Sequence, residues 1–261
     1  RPFRNFLIAM DITVSTGQPQ RNPYRVMWSD AADPYTEPST WVAAASNLAG
    51  DLYLSEGDDY VIDGAQLRGD FVVYKENSTH ILRYVGGNDF FTTDRLFNEH
   101  GILAPRCVVP FGDGMHFVVT KGDVIIHDGN TAKSVADDVV RNKLFSEIDT
   151  EDYVMAFCAP FYKQEEIWFC YSTNESTSSG RAAVWNYKTG AWSFRSLPNV
   201  PDIAHGVADT QSLGDWASDS NTWDSDDVTW NTTIYNPAAY DMLIIERGDT
   251  DTTANPKFQQ V

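Results

Sequence analysis

The sequence predicts an all-β protein of antiparallel sheets, and two observations carry this prediction. Apolar runs of about four to eight residues, dominated by Val, Ile, Phe, Tyr and Trp, recur along the 261 residues, and Gly, Asn and Asp separate them. Clusters of these runs recur with a period of roughly 40–50 residues, which is the length of a four-stranded propeller blade. Tight turns rather than helices join the runs, so we expect a β-propeller of antiparallel blades with one or two short helices.

The predicted strands follow one another at short intervals. They cover residues 6–14, 24–28, 51–54, 60–62, 71–74, 80–85, 105–111, 116–120, 124–127, 154–159, 167–171, 182–187, 191–195 and 240–246. The clearest helix is expected at residues 134–148, where helical spacing relates Val135, Val139, Val140, Leu144 and Ile148. A second, alanine-rich helix is expected at residues 38–48. At about 43 residues per blade, the chain has room for about six blades.

The segment at residues 184–192 is the best local evidence for a blade hairpin. Its turn places Gly190 at the position that needs a positive φ, and Trp192 closes the hairpin. The composition changes after residue 212. We therefore expect a propeller at residues 1–212, a surface loop rich in Trp and Asp at residues 213–235, and a last strand with a polar C-terminal segment at residues 236–261, all as part of a longer protein.

The charge of the chain excludes several classes of function. The sequence contains 37 Asp and Glu against 19 Lys and Arg, which is a net charge of −18 at pH 7. Tight binding to nucleic acid or to an anionic membrane needs clusters of Lys and Arg, whereas the arginines are dispersed singly here. A hydrophobic fraction of 42% is too high for a disordered chain. No apolar run approaches the roughly 18 residues of a membrane-spanning helix.

No catalytic, cofactor-binding or metal-binding residue is predicted, and we do not expect an enzyme. The sequence contains no GxSxG elbow, P-loop or dinucleotide-binding fingerprint, and nothing selects two of its many acids as a catalytic pair. The acidic stretch at residues 215–227 lacks the turn Gly and final Glu of a calcium loop, and cation binding there stays open. His116 and His127 fall in neighbouring predicted strands, where packing on one sheet face is favoured over zinc binding.

The three cysteines, Cys107, Cys158 and Cys170, do not form a disulfide framework. None belongs to a CxxC pair, and an odd number leaves at least one thiol free. Cys158 and Cys170 each lie in an apolar run, which is typical of small buried side chains. This pattern fits synthesis in a reducing compartment.

Several segments between residues 20 and 200 carry a family resemblance. They are the strand Arg-Val-Met-Trp-Ser-Asp at residues 25–30, a strand pair at residues 69–83, the segment Gly-Ile-Leu-Ala-Pro at residues 101–105, a hairpin at residues 114–129 and the helix that follows it. In order and spacing, this series resembles the β-propeller of the tail hub, or nozzle, proteins of short-tailed bacteriophages, the tail tubular protein B class. Members of that family are usually longer, with further domains around the propeller.

The resemblance implies a structural role in the virion. Copies of the chain, made in the host cytoplasm, would form a ring, classically of six, in contact with adaptor and portal-proximal tail proteins and with tail fibres. The ring would retain and then release viral DNA, which would pass through without specific binding. Acidic walls fit such a passage because they repel phosphate. No catalytic residue and no cofactor comes with the family.

Two other functions stay open at this point. The many Trp and Tyr residues, which stack on sugars, and the many acids fit a carbohydrate-binding or glycoside-processing propeller. The predicted fold also fits a β scaffold that binds protein partners. The sequence leaves open whether the strand at residues 6–14 completes the last blade, which is the usual way to seal a propeller.

Overall fold

Antiparallel strands dominate the computed structural model, which describes residues 1–14, 20–86, 90–149, 151, 153–173, 179–207, 241–246 and 258–260. These strands form five sheets, and every sheet is made of strands that are consecutive in sequence. The all-β prediction is confirmed. The predicted surface loop at residues 213–235, with its acidic stretch at residues 215–227, lies outside the described residues.

The first four sheets have four strands each, in sequence order. The first sheet contains β1 (Pro2–Phe3), β2 (Phe6–Val14), β3 (Gln20–Trp28) and β4 (Gly50–Tyr53). The second contains β5 (Val61–Leu67), β6 (Asp70–Lys75), β7 (Thr79–Tyr84) and β8 (Phe91–Phe97). The third contains β9 (Val108–Phe111), β10 (Met115–Val119), β11 (Val124–His127) and β12 (Ala132–Ser134). The fourth contains β13 (Phe157–Phe161), β14 (Glu166–Tyr171), β15 (Ser179–Asn186) and β16 (Trp192–Val200).

The fifth sheet contains three described strands. These are β17 (Asp202–Val207), β18 (Asp241–Glu246) and β19 (Phe258–Gln260). β18 pairs with both β17 and β19, so the strand predicted at residues 240–246 is confirmed and the polar C-terminal segment supplies an edge strand. The strand at residues 6–14 pairs with β1 and β3 in the first sheet, where it is β2.

One α-helix, α1 (Asp138–Glu147), connects the third and fourth sheets, together with a 3₁₀ turn at Tyr153–Met155. The Asp137 carboxylate caps α1 by accepting the Val140 N–H at 2.8 Å, and Leu144 is its buried residue. The helix was expected from residue 134. It begins later because Ser134 pairs with Ile125 as the end of β12.

The second predicted helix, at residues 38–48, is absent from the described residues, and that prediction is wrong. The Asp30 carboxylate accepts the Leu48 N–H at 3.0 Å and the Ser39 hydroxyl at 2.9 Å, and so ties both ends of the segment to the end of β3. The side chain of Asn47 accepts the Ala44 N–H. Side chains that bond backbone amides in this way stabilise a loop rather than helical turns.

Buried side chains pack each sheet against its neighbours in the chain. In the second sheet, Phe71 and Val73 join a core shared with the first sheet, whereas Val72 and Tyr74 join a core shared with the third. In the third sheet, residues 117–119 are successive and all fully buried. Successive strand residues point to opposite faces, so both faces of these sheets are covered.

The fourth sheet repeats this arrangement. Ile167 and Phe169 belong to the core shared with the third sheet, whereas Trp168 and Cys170 pack with Ile203 of the fifth. The first strands also lie side by side in series, since β5 contacts β9, β9 contacts β13, and β13 contacts β17. The five sheets therefore stack face to face in the order of the chain.

The predicted turn chemistry is confirmed. Gly190, between β15 and β16, has a φ of 73°, and Trp192 lies opposite Trp185 in the hairpin.

Gly112 and Gly114, in the turn between β9 and β10, have φ values of 53° and 77°. Arg4 and Arg68 take φ values of 52° and 54° in the first turns of the first and second sheets. A left-handed residue directly after the first strand thus recurs in three successive sheets.

No helix in the described part of the chain has both the length and the apolar character needed to cross a bilayer.

Candidate functional site

A buried chain of hydrogen bonds joins the second and third sheets. Tyr74 Oη lies 2.7 Å from His116 Nδ1 and 2.6 Å from His127 Nε2, and none of the three residues is more than 1% exposed. His116 and His127 are directly opposite in the β10–β11 pair. The prediction that they occupy neighbouring strands and pack on one face is confirmed. Tyr74, from β6, is the partner that the sequence did not indicate.

The contacts at the two ends of this series of hydrogen bonds determine which group donates and which accepts in each bond. His116 Nε2 lies 2.8 Å from the Gln66 carbonyl, which only accepts, so Nε2 carries the proton and Nδ1 accepts from the Tyr74 hydroxyl. The hydroxyl oxygen then accepts from His127 Nε2. His127 Nδ1 accepts the Gly129 N–H at 3.3 Å. This assignment, made from the hydrogen-bond network, gives two neutral imidazoles with every nitrogen satisfied.

The protonation states agree with this geometry. Burial lowers the pKa of His116 to about 4, and burial together with neighbouring His116 lowers the pKa of His127 to about 3. Burial also raises the pKa of Tyr74 well above 10. All three groups are therefore neutral at pH 7, and their hydrogen bonds join the second and third sheets.

A second buried polar group lies where the second sheet begins. Lys75 is fully buried, and its Nζ donates to the Leu54 carbonyl at 3.0 Å, the Glu56 carbonyl at 2.8 Å and Asp59 Oδ1 at 2.8 Å. Burial alone would raise the pKa of Asp59, but hydrogen bonds from Lys75 and Ser78 outweigh it and lower that pKa. The ammonium group has no spare hydrogen for a substrate, so this pair is structural.

A line of opposite charges links the first strands of the sheets. Asp63 in β5 pairs with the Arg1 side chain and accepts the Arg106 backbone N–H at 2.8 Å. The Arg106 guanidinium in turn pairs with Asp202 at the start of β17 and lies 5.0 Å from the centre of the Phe157 ring. Acids and bases are thus paired where the first strands meet.

Tyrosines lie on both faces of the β3–β4 strand pair: Tyr24 packs with Tyr60, and Tyr53 lies opposite Arg25 on the other face, where we call Tyr53, Arg25 and Asp51 the tyrosine patch. The rings of Tyr24 and Tyr60 are 5.4 Å apart, and Tyr53 and Tyr60 are 57% and 38% exposed. The Arg25 guanidinium lies 5.7 Å from the Tyr53 ring and pairs with Asp51. Exposed rings edged by charged hydrogen-bonding groups are a surface on which a sugar can stack.

The surface cavities in the described part of the chain include two of several hundred Å³. One, of about 620 Å³, lies among the first turns of the second and third sheets and is lined in part by Arg68, Phe111, His116 and Tyr162. The other, of about 540 Å³, lies under the loop that replaces the second predicted helix. Neither cavity gathers acids, a nucleophile and a base into a catalytic arrangement. The described residues also contain no group of three or more His, Cys, Asp or Glu that could hold a metal ion.

No model of a known protein family matches the chain, and no curated protein matches it. The paired polar groups that sequence reasoning missed are Tyr74, Lys75 and Asp63, which are buried, and Arg106, which is exposed. A signal for Lys75 was present, because it ends the apolar run that begins at Phe71. Tyr74, Asp63 and Arg106 can be recognised as paired groups only when their partners, which are distant in sequence, are known.

Proposed function

We propose that this chain is a β-propeller that serves as a structural component of a bacteriophage tail, a nozzle or hub ring whose acidic channel retains and releases the genome. The observation that carries the proposal is the order of the sheets. Consecutive four-stranded sheets stack on both faces, and their first strands lie side by side, as the inner strands of radial blades do.

The segments that resemble the nozzle family occupy matching places in successive sheets, which supports the family proposal. Residues 25–28 end β3, residues 70–75 and 79–83 lie in β6 and β7, and residues 115–127 span β10 and β11. The segment at residues 101–105 bridges two sheets, because the Ile102 N–H donates to Lys75 and the Leu103 N–H donates to Val119. The resemblance therefore follows the architecture of the chain rather than isolated hairpins.

The distribution of charge supports a passage between copies of the chain. The pairs Arg1–Asp63 and Arg106–Asp202 neutralise the line where the first strands meet. Over the whole chain, the 37 Asp and Glu outnumber the 19 Lys and Arg by 18, so at least 18 carboxylates have no such cation to pair with. A ring of such subunits would face its central opening with uncompensated carboxylates, which repel DNA phosphates and let the genome slide.

Light scattering and electron microscopy test the proposal. We expect a closed ring with a mass of about six times the 29.3 kDa of one chain, built through heterologous contacts. In virions, Asp→Lys changes at positions that line the opening should slow genome ejection, while Asp→Asn changes at the same positions should have a smaller effect. A strictly monomeric protein in intact virions, or unchanged ejection in the Lys variants, would contradict the proposal.

The tyrosine patch favours a second candidate function, carbohydrate binding by the same propeller. If the patch binds carbohydrate, Tyr53→Ala should abolish binding on a glycan array, because a sugar ring stacks on an exposed aromatic face. Tyr35→Ala is the matched control, because Tyr35 is a fully exposed tyrosine in the loop after β3 and does not belong to the patch. Absence of any glycan signal, with no release of reducing sugar, would leave the structural role as the better proposal.

A further inference from the structure

The three cysteines do not share one environment. Cys107 and Cys158 belong to the core between the third and fourth sheets, whereas Cys170 belongs to the core between the fourth and fifth. The pairing of Phe157 with Cys170 explains this division, because Cys158 follows Phe157 and points to the opposite face of the fourth sheet. All three are free thiols and are buried, with exposures of 0%, 8% and 0%.

Backbone and side-chain contacts bring Cys107 and Cys158 together across the sheet boundary. The Cys158 N–H donates to the Arg106 carbonyl at 2.9 Å, so the main chains at the two cysteines are adjacent. The Cys107 thiol donates to the Ala156 carbonyl, with sulfur and oxygen 3.5 Å apart. The two thiols are close enough to interact, because the Cys107 thiol is among the causes that raise the pKa of Cys158.

We propose that Cys107 and Cys158 are a latent disulfide site that cross-links the third and fourth sheets when a disulfide oxidant is supplied. A disulfide requires neighbouring backbones, and Cys107 and Cys158 have adjacent main chains and share one core, whereas Cys170 faces the other side of the fourth sheet. The bond would close the chain between residues 107 and 158 and would restrict the unfolded state.

The reaction is balanced with oxidised glutathione as the oxidant. One protein thiolate attacks a glutathione sulfur, forms a mixed disulfide and expels reduced glutathione. The second protein thiol loses its proton, attacks the protein sulfur of the mixed disulfide and expels a second reduced glutathione. Two protein thiols are oxidised, one glutathione disulfide is reduced, and the two thiol protons end on the two glutathione thiols.

Burial sets the rate of this reaction. Burial and the neighbouring Cys107 thiol raise the pKa of the Cys158 thiol well above its usual range, so little thiolate is present at pH 7. We therefore expect slow oxidation at neutral pH and faster oxidation at pH 8.5. The cross-link would persist in an oxidising environment outside the cell and would be absent in a reducing cytoplasm.

Mass spectrometry tests the proposal on the whole chain. After a day with oxidised glutathione at pH 8.5, the intact mass should fall by about 2 Da, with no retained glutathione. Trypsin places the three cysteines in separate peptides, residues 107–121, 144–163 and 164–181. We expect the first two to be joined and the third to be alkylated when the protein is denatured. The urea midpoint of the oxidised protein should be higher.

Matched variants separate this pairing from the alternatives. Cys170→Ser should still lose about 2 Da, whereas Cys107→Ser and Cys158→Ser should not. An unchanged mass, a stable glutathione adduct at Cys107 or Cys158, or a cross-link that includes Cys170 would each overturn the proposal.

Discussion

Acidification should destabilise this protein through the hydrogen-bond chain His116–Tyr74–His127. In the folded state, burial holds the pKa of His116 at about 4 and that of His127 at about 3. In the unfolded chain both imidazoles return to the ordinary value near 6.5. Between pH 6.5 and about 4, the unfolded state therefore binds protons that the folded state does not. Stability is full above pH 6.5 and falls as the pH falls through this window.

The size of the effect follows from these two pKa values. One unit of pKa difference corresponds to about 1.4 kcal/mol, so each histidine contributes up to about 1.4 kcal/mol per pH unit. From pH 6.5, where the unfolded imidazoles are half protonated, to pH 5, the two together should lower the free energy of unfolding by about 3 kcal/mol. His80 acts in the same direction, because burial lowers its pKa and its Nε2 has no hydrogen-bond partner among the described residues. A loss of this size is a large part of the 5–15 kcal/mol typical of a domain, roughly a fifth to three fifths.

Urea unfolding, followed by tryptophan fluorescence at pH values from 7 to 5, measures this dependence. His127→Gln should reduce the slope of stability against pH by about 1.4 kcal/mol per unit, whatever it does to stability at pH 7. Tyr74→Phe is the control, because it keeps both imidazoles buried. It should lower stability by about 1–3 kcal/mol at every pH, since it removes the partner of both nitrogens, and leave the slope in place.

Two results would refute the reasoning. The first is an equal free energy of unfolding at pH 7 and pH 5 in the wild-type protein. The second is a wild-type slope in His127→Gln, which would assign the pH dependence to groups outside the chain of hydrogen bonds.

Two further predictions concern buried positions of the second and third sheets. Lys75→Met should cost about 3–5 kcal/mol in urea unfolding, because it leaves the carboxylate of Asp59 buried without its cation, and adding Asp59→Asn should recover part of the loss. A double variant no more stable than the single one would contradict this. Gly101→Ala should cost about 1–3 kcal/mol, because the new Cβ would overlap the backbone of Glu76, whereas Gly122→Ala meets nothing within 4 Å and should be close to neutral. Equal effects of the two glycine changes would show that close backbone approach is not what position 101 requires.

The strands with strong apolar patterns were predictable from sequence. Residues 6–14 are β2, and residues 124–127 are β11, with the bounds expected from their apolar runs. The left-handed Gly190 and the placing of His116 opposite His127 were also predictable, because both depend on interactions within a single hairpin. Turn and strand-pairing preferences are sufficient to predict a contact when both residues lie in one hairpin.

The last strands of the second and third sheets were not predicted. β8 exposes Thr92, Thr93, Asp94 and Arg95, and β12 has no buried residue. An edge strand buries little, so its sequence carries almost no alternation of apolar and polar residues. These segments are strands because β7 and β11 offer free backbone groups to pair with.

The sequence by itself determined the all-β class, most of the inner strands, the turn glycines and the acidic charge. The alternation of apolar and polar residues along a strand indicates that one of its faces is buried, and a net charge is a sum over residues. Neither property depends on which sheet packs against which. Only the tertiary structure decided the contacts between sheets. Tyr74 meets His127 across 53 residues of sequence, and Cys107 meets Cys158 rather than Cys170. Such contacts depend on how whole sheets stack and in which register, and no short-range pattern in the chain encodes that stacking.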